Sequence, residues 1–527
     1  MRNRQPSLLL LALLAVSLLA PATASAQQSC ESLASLKITN VTITSATAVN
    51  PPPDFDVPST PGRFGTPPGQ KVSVPFCRVA GYATPTSDSH IGFEVWLPIP
   101  ANWNGKYIGV GNPGFIGDIR FGGLAREVAR GSAAASTDTG HSDINPTSEA
   151  PDAWAIGHPE KVADWGHRAV HETAVAAKAL IRAYYGKPQT LSFWSSCHEG
   201  GNQALTEAQR YPNDYDAIAA GDPAYYITRL QAGSEYLAWV NVKDGVKAPG
   251  YIPPSKYPII HRAALDACDA LDGARDGFIE VPTRCHFDPQ TIQCPGKADL
   301  ASCLTAPQVE TAKKIYEGAK FADGTQLYPG FEPGSELGWG VVITGPEPLS
   351  INNGFFKSVV YEDPKWDFHT FDVDRDTKFA ESKYGAVVDS HNPDLSAFKA
   401  HGGKLLLYQS WEETAIPPTS LIGYYNSVLA KMGDTSQTRD SVRLFMVSGM
   451  GMCPGFGTGG NGAFDALDVV MKWRETGKAP DKIIASHRVG SEVDRTHPAC
   501  PYPQAAIYKG TGDVADAANF TCGNPKW

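Results

Sequence analysis

The chain has 527 residues, 42% of them hydrophobic and 10% aromatic, so it can bury a large core, and its length allows either about three domains or one enzyme with a large insertion. Its formal charge is −10, and loss of the first 26 residues, whose only charges are the cations Arg2 and Arg4, makes it −12. An acidic surface of this kind excludes electrostatic support for a nucleic-acid or anionic-membrane partner.

The N-terminus has a short basic start, an apolar run from Leu8 to Ala20 and Ala24-Ser25-Ala26 before Gln27, the pattern of a cleavable secretory signal peptide over residues 1–26. No other stretch approaches the ~20 apolar residues that a membrane span requires, so the expected mature protein is exported, periplasmic or secreted. A Pro-rich opening, Asn50–Gly69, leads to strand-like alternation over Val72–Ala80 and Ile91–Ile99. "KYIGVGNPGFIG" and "GSAAASTDTGH" each read as a strand running into a loop, with the helical "GLAREVARG" between them. The stretch from Trp165 to Tyr185 carries apolar residues three or four apart, with Gly186 as its stop. "LSFWSSC" is then a strand, and "GGNQALTEAQRYP" a helix ended by Pro212.

Alternation of strand and helix predicts a mostly parallel sheet covered on both faces. From Pro223 to Lys399 that rhythm gives way to loops, cysteines and aromatics, and it returns with "KLLLYQS", "LIGYYNSVLAKMG", "VRLFMVSGM" and "AFDALDVVMKWRETG". The reading is one α/β domain in two parts, residues 27–222 and 400–527, interrupted by a cap over 223–399. Ten cysteines, all beyond the leader, favour disulfides over zinc in an exported chain. Local spacing suggests Cys268 with Cys285, Cys294 with Cys303 and Cys500 with Cys522.

The stretch "FWSSCHEGGNQAL" has the form of the nucleophile turn of an α/β-hydrolase, G-x-S-x-G, where small neighbours permit a strained strand-to-helix bend and the helix N-terminus favours developing negative charge. Its five residues are Ser196-Cys197-His198-Glu199-Gly200, with an imidazole where the serine belongs. Here the chain resembles the tannase and feruloyl esterase family, which includes terephthalate monoester hydrolases and usually reads C-S-x-G-G at this turn. "ASTDTGH", "AIAAGDPA", "CDALDGARDG", "YPGFEPGSELGW", "SGMGMC" and "CPYPQAAIYKG" are similar to family segments in the same order. The resemblance implies an α/β-hydrolase fold with a large inserted cap.

Position by position, the resemblance puts His198 at the nucleophile, Glu413 at the acid, with Glu412 as its neighbouring option, and Met452 at the base. The oxyanion loop is Gly111-Asn112-Pro113-Gly114-Phe115, in which Pro113 has no N–H to donate, while the N–H of Glu199 remains. Ser195 and Ser196 precede the turn and are poor substitutes for the lost hydroxyl. The resemblance also implies bridges Cys30–Cys77 and Cys197–Cys453 beside the three local pairs, so Cys197 is a staple rather than a nucleophile. It implies a structural Ca2+ held by the side chains of Asp269, Asp272 and Asp276 and the carbonyls of Ala274 and Phe278, and no organic cofactor. Hard oxygen donors on a tight loop suit that ion.

An imidazole reaches farther than a hydroxyl, so His198 is expected to approach Glu413, with Met452 filling the space of the absent base and Glu199 beside them. The function that follows is general acid–base chemistry on an aromatic or phenolic compound: elimination, isomerisation or activation of water without an acyl-enzyme. Two other readings stand beside it, an aryl carboxylic ester hydrolase using a non-serine route and a catalytically silent protein that binds an aromatic ligand. His141 is expected to be satisfied by loop hydrogen bonds.

Overall fold

The computed structural model describes residues 27–60, 65–141, 153–296, 298–433, 435–453, 462 and 464–526; the expected leader, residues 1–26, lies outside them. Nine strands form the main sheet: β1 (Val41–Val49), β2 (Phe76–Ala83), β3 (Ile91–Pro98), β4 (Lys106–Val110), β5 (Ala133–Thr137), β6 (Leu191–Cys197), β7 (Ala217–Gly221), β8 (Lys404–Ser410) and β9 (Val442–Val447). Across the sheet they run β1-β2-β3-β5-β4-β6-β7-β8-β9. The pairs from β1 to β5 are antiparallel, and every pair from β5 to β9 is parallel. Strand order reverses at β4 and β6, and the crevice beyond the C-terminal ends of such strands is where ligands bind in open α/β sheets.

The helices include α1 (Phe121–Ala129), α2 (Ala169–Tyr185), α3 (Glu199–Arg210), α4 (Ile227–Val242), α5 (Tyr257–Cys268), α6 (Ala306–Glu317), α7 (Ser350–Gly354), α8 (Val373–Ala380), α9 (Pro418–Met432) and α10 (Ala466–Thr476). On one face, Leu180 of α2, Leu205 of α3 and Val428 of α9 pack with Trp194, Ile218, Leu407 and Leu444 of the strands. On the other, Leu467, Val470 and Trp473 of α10 meet Phe193, Ala219, Leu406 and Phe445. Burial from both sides explains why β7 and β8 read as nearly continuous apolar runs. This is the α/β-hydrolase architecture that the resemblance implies.

Two local expectations are corrected. The strand expected over Val72–Ala80 is two: Lys71–Val72 pairs with Phe55–Asp56, and β2 begins only at Phe76. Pro75, which cannot donate to a ladder, stands between them. The segment between β7 and β8 is not mainly loop, since it holds α4 to α8. Most of the 16 residues of α4 are buried, so no polar stripe sets off an apolar one and the helical period is hidden. Five disulfides join Cys30–Cys77, Cys197–Cys453, Cys268–Cys285, Cys294–Cys303 and Cys500–Cys522, using all ten cysteines.

Candidate active site

Strand β6 turns into helix α3 through His198, whose backbone sits at φ 64°, ψ −118°, a region that costs a residue bearing a Cβ. The turn is held from several sides. The His198 N–H donates to the Gly221 carbonyl at 2.9 Å, and the His198 carbonyl accepts from the N–H groups of Gly201, Asn202 and Ala224 at 3.0, 3.1 and 3.2 Å. A Cβ at Gly200 would run into Ser196 Oγ, and one at Gly201 into the Gly221 carbonyl. The nucleophile bend is therefore intact and presents an imidazole. His198 is half-buried, its Nε2 is shielded from solvent without a hydrogen-bond partner, and burial lowers its pKa to about 4, so the ring is neutral at pH 7.

Glu199 is 2% exposed and lines the same pocket as His198. Its Oε1 accepts from Asn202 Nδ2 at 2.9 Å, and burial raises its pKa to about 8. The carboxyl is thus protonated at pH 7, an acid beside a neutral base. The remaining walls come from the 111–115 loop (Gly114 and Phe115), from Ala224 and Ala415 in the loops that follow β7 and β8, and from the 223–399 segment through Leu230, Gln231, Ser234, Val342, Leu349, Ile351 and Asn352. The cavity is narrow, about 40 Å³.

Glu413 and His198 are brought to one end of the sheet but not bonded. Glu413 turns back on its own chain, with Oε1 accepting the Ala415 N–H at 2.6 Å, and its buried Oε2 has no partner, as His198 Nε2 has none. The expected His198–Glu413 hydrogen bond is therefore absent, because the carboxyl serves its own turn while the ring lines the pocket. Glu412 accepts from the Gly449 N–H at 2.9 Å and from Ser410 Oγ at 3.0 Å, tying the loop after β8 to the loop after β9. Burial raises both carboxyls to about 7.

Asn112 does not reach the pocket. Its N–H is spent on Gln203 Oε1 at 3.1 Å, and its Nδ2 donates to the carbonyls of Asp118 and Thr137, both at 2.8 Å, so it builds the loop and offers nothing to an oxyanion. Met452 is half-buried in the loop after β9, and is not among the described residues that line the cavity. His141 has both ring nitrogens engaged, Nε2 with the Phe115 carbonyl at 2.7 Å and Nδ1 with Thr139 Oγ1 at 3.3 Å.

Asp222, at the end of β7, escaped the sequence reading. It is fully buried, accepts the Ser410 N–H at 2.8 Å and the Cys453 N–H at 3.2 Å, and donates its own N–H to the Tyr408 carbonyl at 2.8 Å. Burial, and then the Glu413 charge, hold its carboxyl well above the usual range. An acidic residue ending a buried parallel strand was the available signal. Cys197, Asp222 and Cys453 also lie within 4.8 Å of one another, but the two sulfurs form a disulfide and offer no thiolate.

In the 269–278 turn, Asp269 accepts the N–H groups of Asp276 and Gly277, each at 3.2 Å, Asp272 accepts that of Ala274 at 2.9 Å, and Asp276 that of Phe278 at 3.3 Å. Burial first, and the neighbouring carboxylates next, raise Asp272 to about 7 and Asp276 to about 6. Asp276 Oδ2 is buried without a hydrogen-bond partner. A cation would relieve both penalties, so the donor set fits a hard ion, although the three carboxylates are not gathered within 4.8 Å as a set.

Comparison with known proteins gives a consistent picture. An uncharacterised esterase of Xanthomonas campestris pv. campestris is 36% identical, the match covering 95% of this chain and 92% of that protein. A probable feruloyl esterase B-2 of Neosartorya fischeri is 32% identical over 86% of this chain and 87% of its own. The crystal structure of an esterase from Aspergillus oryzae superposes with a TM-score of 0.85 at 30% identity, covering 94% of this chain and 99% of that one. The profile described as "Tannase and feruloyl esterase" matches residues 77–523. With the fold, the intact elbow and these matches together, the chain belongs to the tannase and feruloyl esterase family.

Proposed function

We propose that the chain cleaves esters of small phenolic compounds by direct addition of water, with His198 as general base and Glu199 as general acid. The observation that carries this reading is one pocket lined by an unpartnered neutral imidazole and a protonated carboxyl. Water bonds to the ester carbonyl carbon while His198 Nε2 takes its proton. The N–H of Glu199, in the first turn of α3 and so without an intrahelical acceptor, serves the oxyanion. As the carbon–oxygen bond to the alcohol breaks, the Glu199 carboxyl protonates the leaving oxygen, and the imidazolium then returns its proton to the Glu199 carboxylate. Glu413 acts through its loop: it fixes Ala415, which lines the pocket.

In this proposal residues 223–399 are the cap, and entry of a ring into so narrow a cavity requires cap side chains such as Leu230 and Ile351 to shift. We read residues 1–26 as the export signal. Five disulfides support an oxidising destination, and no helix among the described residues is long and apolar enough to cross a membrane. We also assign a structural Ca2+ to Asp269, Asp272, Asp276 and the carbonyls of Ala274 and Phe278; bound there, it would brace the turn.

Purified protein with methyl ferulate tests the chemistry. His198→Ala is expected to lower kcat/KM on the order of 10²-fold or more, and mass spectrometry of acid-quenched enzyme should find no acyl adduct. Turnover indifferent to the substitution, or an adduct on a serine, overturns the mechanism. If nothing turns over and aromatic acids bind tightly, the ligand-binding reading replaces it.

A further inference from the structure

We infer that Gln231 and Asn352 are specificity-determining residues that select an uncharged, hydroxyl-bearing ring and reject an ionised aryl carboxylate. The inference rests on the reading of the pocket as the ligand site. Gln231 is on α4, on the face shared with Ser234, and Asn352 is on α7, which packs against α4. They are 5% and 3% exposed, and both line the pocket. Gln231 Oε1 and Asn352 Nδ2 have no hydrogen-bond partner, and hence are not bonded to each other.

A buried amide left without a partner costs ~1–3 kcal/mol, so two in one cavity point to a ligand that satisfies them. The free oxygen needs a donor and the free nitrogen an acceptor. A hydroxyl is both, and the demand for one donor and one acceptor is the same if both amides are rotated end for end. Apart from Ser234, which shares the Gln231 face, the cap side chains and Phe115 around them are apolar, among them Leu230, Leu349 and Ile351, as a ring requires. Apart from His198, no nitrogenous base lines the cavity among the described residues, and no lysine or arginine does. A carboxylate placed there would lose its water and find no counter-charge, whereas a neutral phenol would lose little.

The test is equilibrium binding, read by calorimetry on the full chain with His198→Ala in every protein compared so that no ester is consumed, of three probes of similar size: methyl 4-hydroxycinnamate, methyl cinnamate and monomethyl terephthalate. The chain that is wild type at 231 and 352 is expected to bind the hydroxylated ester on the order of 10-fold to 100-fold more tightly than the other two. Adding Gln231→Leu/Asn352→Leu should leave methyl cinnamate bound at least as well, which shows that the chain is folded, and should abolish the preference for the hydroxyl. An unchanged preference after the double substitution, or a preference for the carboxylate before it, overturns the assignment. Preference that holds while the unsubstituted protein turns over no ester would instead overturn the hydrolytic reading and leave this one standing.

Discussion

Burial moves the two ionisable groups of the pocket in opposite directions. It lowers His198 to about 4 and raises Glu199 to about 8, because each loses hydration of its charged form. A mechanism that needs neutral imidazole and protonated carboxyl then runs between those values. The expected kcat/KM rises as pH passes through about 4 and falls as it passes through about 8. Glu199→Gln keeps the hydrogen bond with Asn202 within reach but has no proton to give, so the alkaline limb should vanish along with on the order of 10²-fold in rate. A pH–rate profile of both proteins decides the point: a variant that keeps an alkaline limb at the same pH would take the acid role away from Glu199.

Among the elements, three loops leave the C-terminal ends of β6, β8 and β9, and covalent and polar links hold them together. Cys197–Cys453 ties the first to the third across 256 residues of sequence, and Asp222 accepts N–H groups from the second and third. A loop of that length gives a bridge a large entropic effect, about 5.5 kcal/mol in the chain-entropy treatment. Cys197→Ala/Cys453→Ala is therefore expected to lose roughly that stability in denaturant unfolding and to lower activity further by freeing the His198 turn. A midpoint shift of under about 1 kcal/mol would mean that Asp222 alone fixes the loops.

The same elements show what a sequence can convey. Strands β4, β5, β6, β8 and β9 and helices α2, α3, α9 and α10 are legible because each carries its own period or an unbroken apolar run between turn residues. The elbow is legible because its glycines are demanded by local collisions. Asp222, Gln231 and Asn352 are not, since their significance lies in atoms left unpaired or shared only after distant segments meet. His198 and Glu413 make no hydrogen bond for a related reason: spacing along the chain places two residues at one sheet end, but the Glu413 carboxyl is held by the Ala415 N–H, two residues from the acid itself.

At the scale of the whole molecule, the buried titratable groups form two sets with opposite effects on stability. Glu199 at about 8, and Asp138, Glu332, Asp389, Glu412 and Glu413 at about 7, have folded values above their unfolded ones near 4, so they favour the folded state at low pH and lose that contribution as pH rises through about 7 to 8. His141, His167, His198 and His497, lowered to about 4, act the other way, adding stability as pH rises from about 4 to 6.5. Between 4 and 6.5 the sets oppose one another. Above 6.5 the unfolded histidines are already neutral, so only the carboxyl set is still titrating and stability must fall. Calorimetry is expected to show Tm falling gently over pH 5–6.5, where the carboxyls outnumber the histidines, and lower by roughly a further 5 °C at pH 8.5. Chelation should lower Tm further if Ca2+ occupies the 269–278 turn, because an ion bound only by the folded chain stabilises it by mass action. A Tm that climbs steadily to pH 8.5 would show that the buried carboxyls are held ionised by charges other than those in the fold, and a Tm indifferent to chelator would remove the ion.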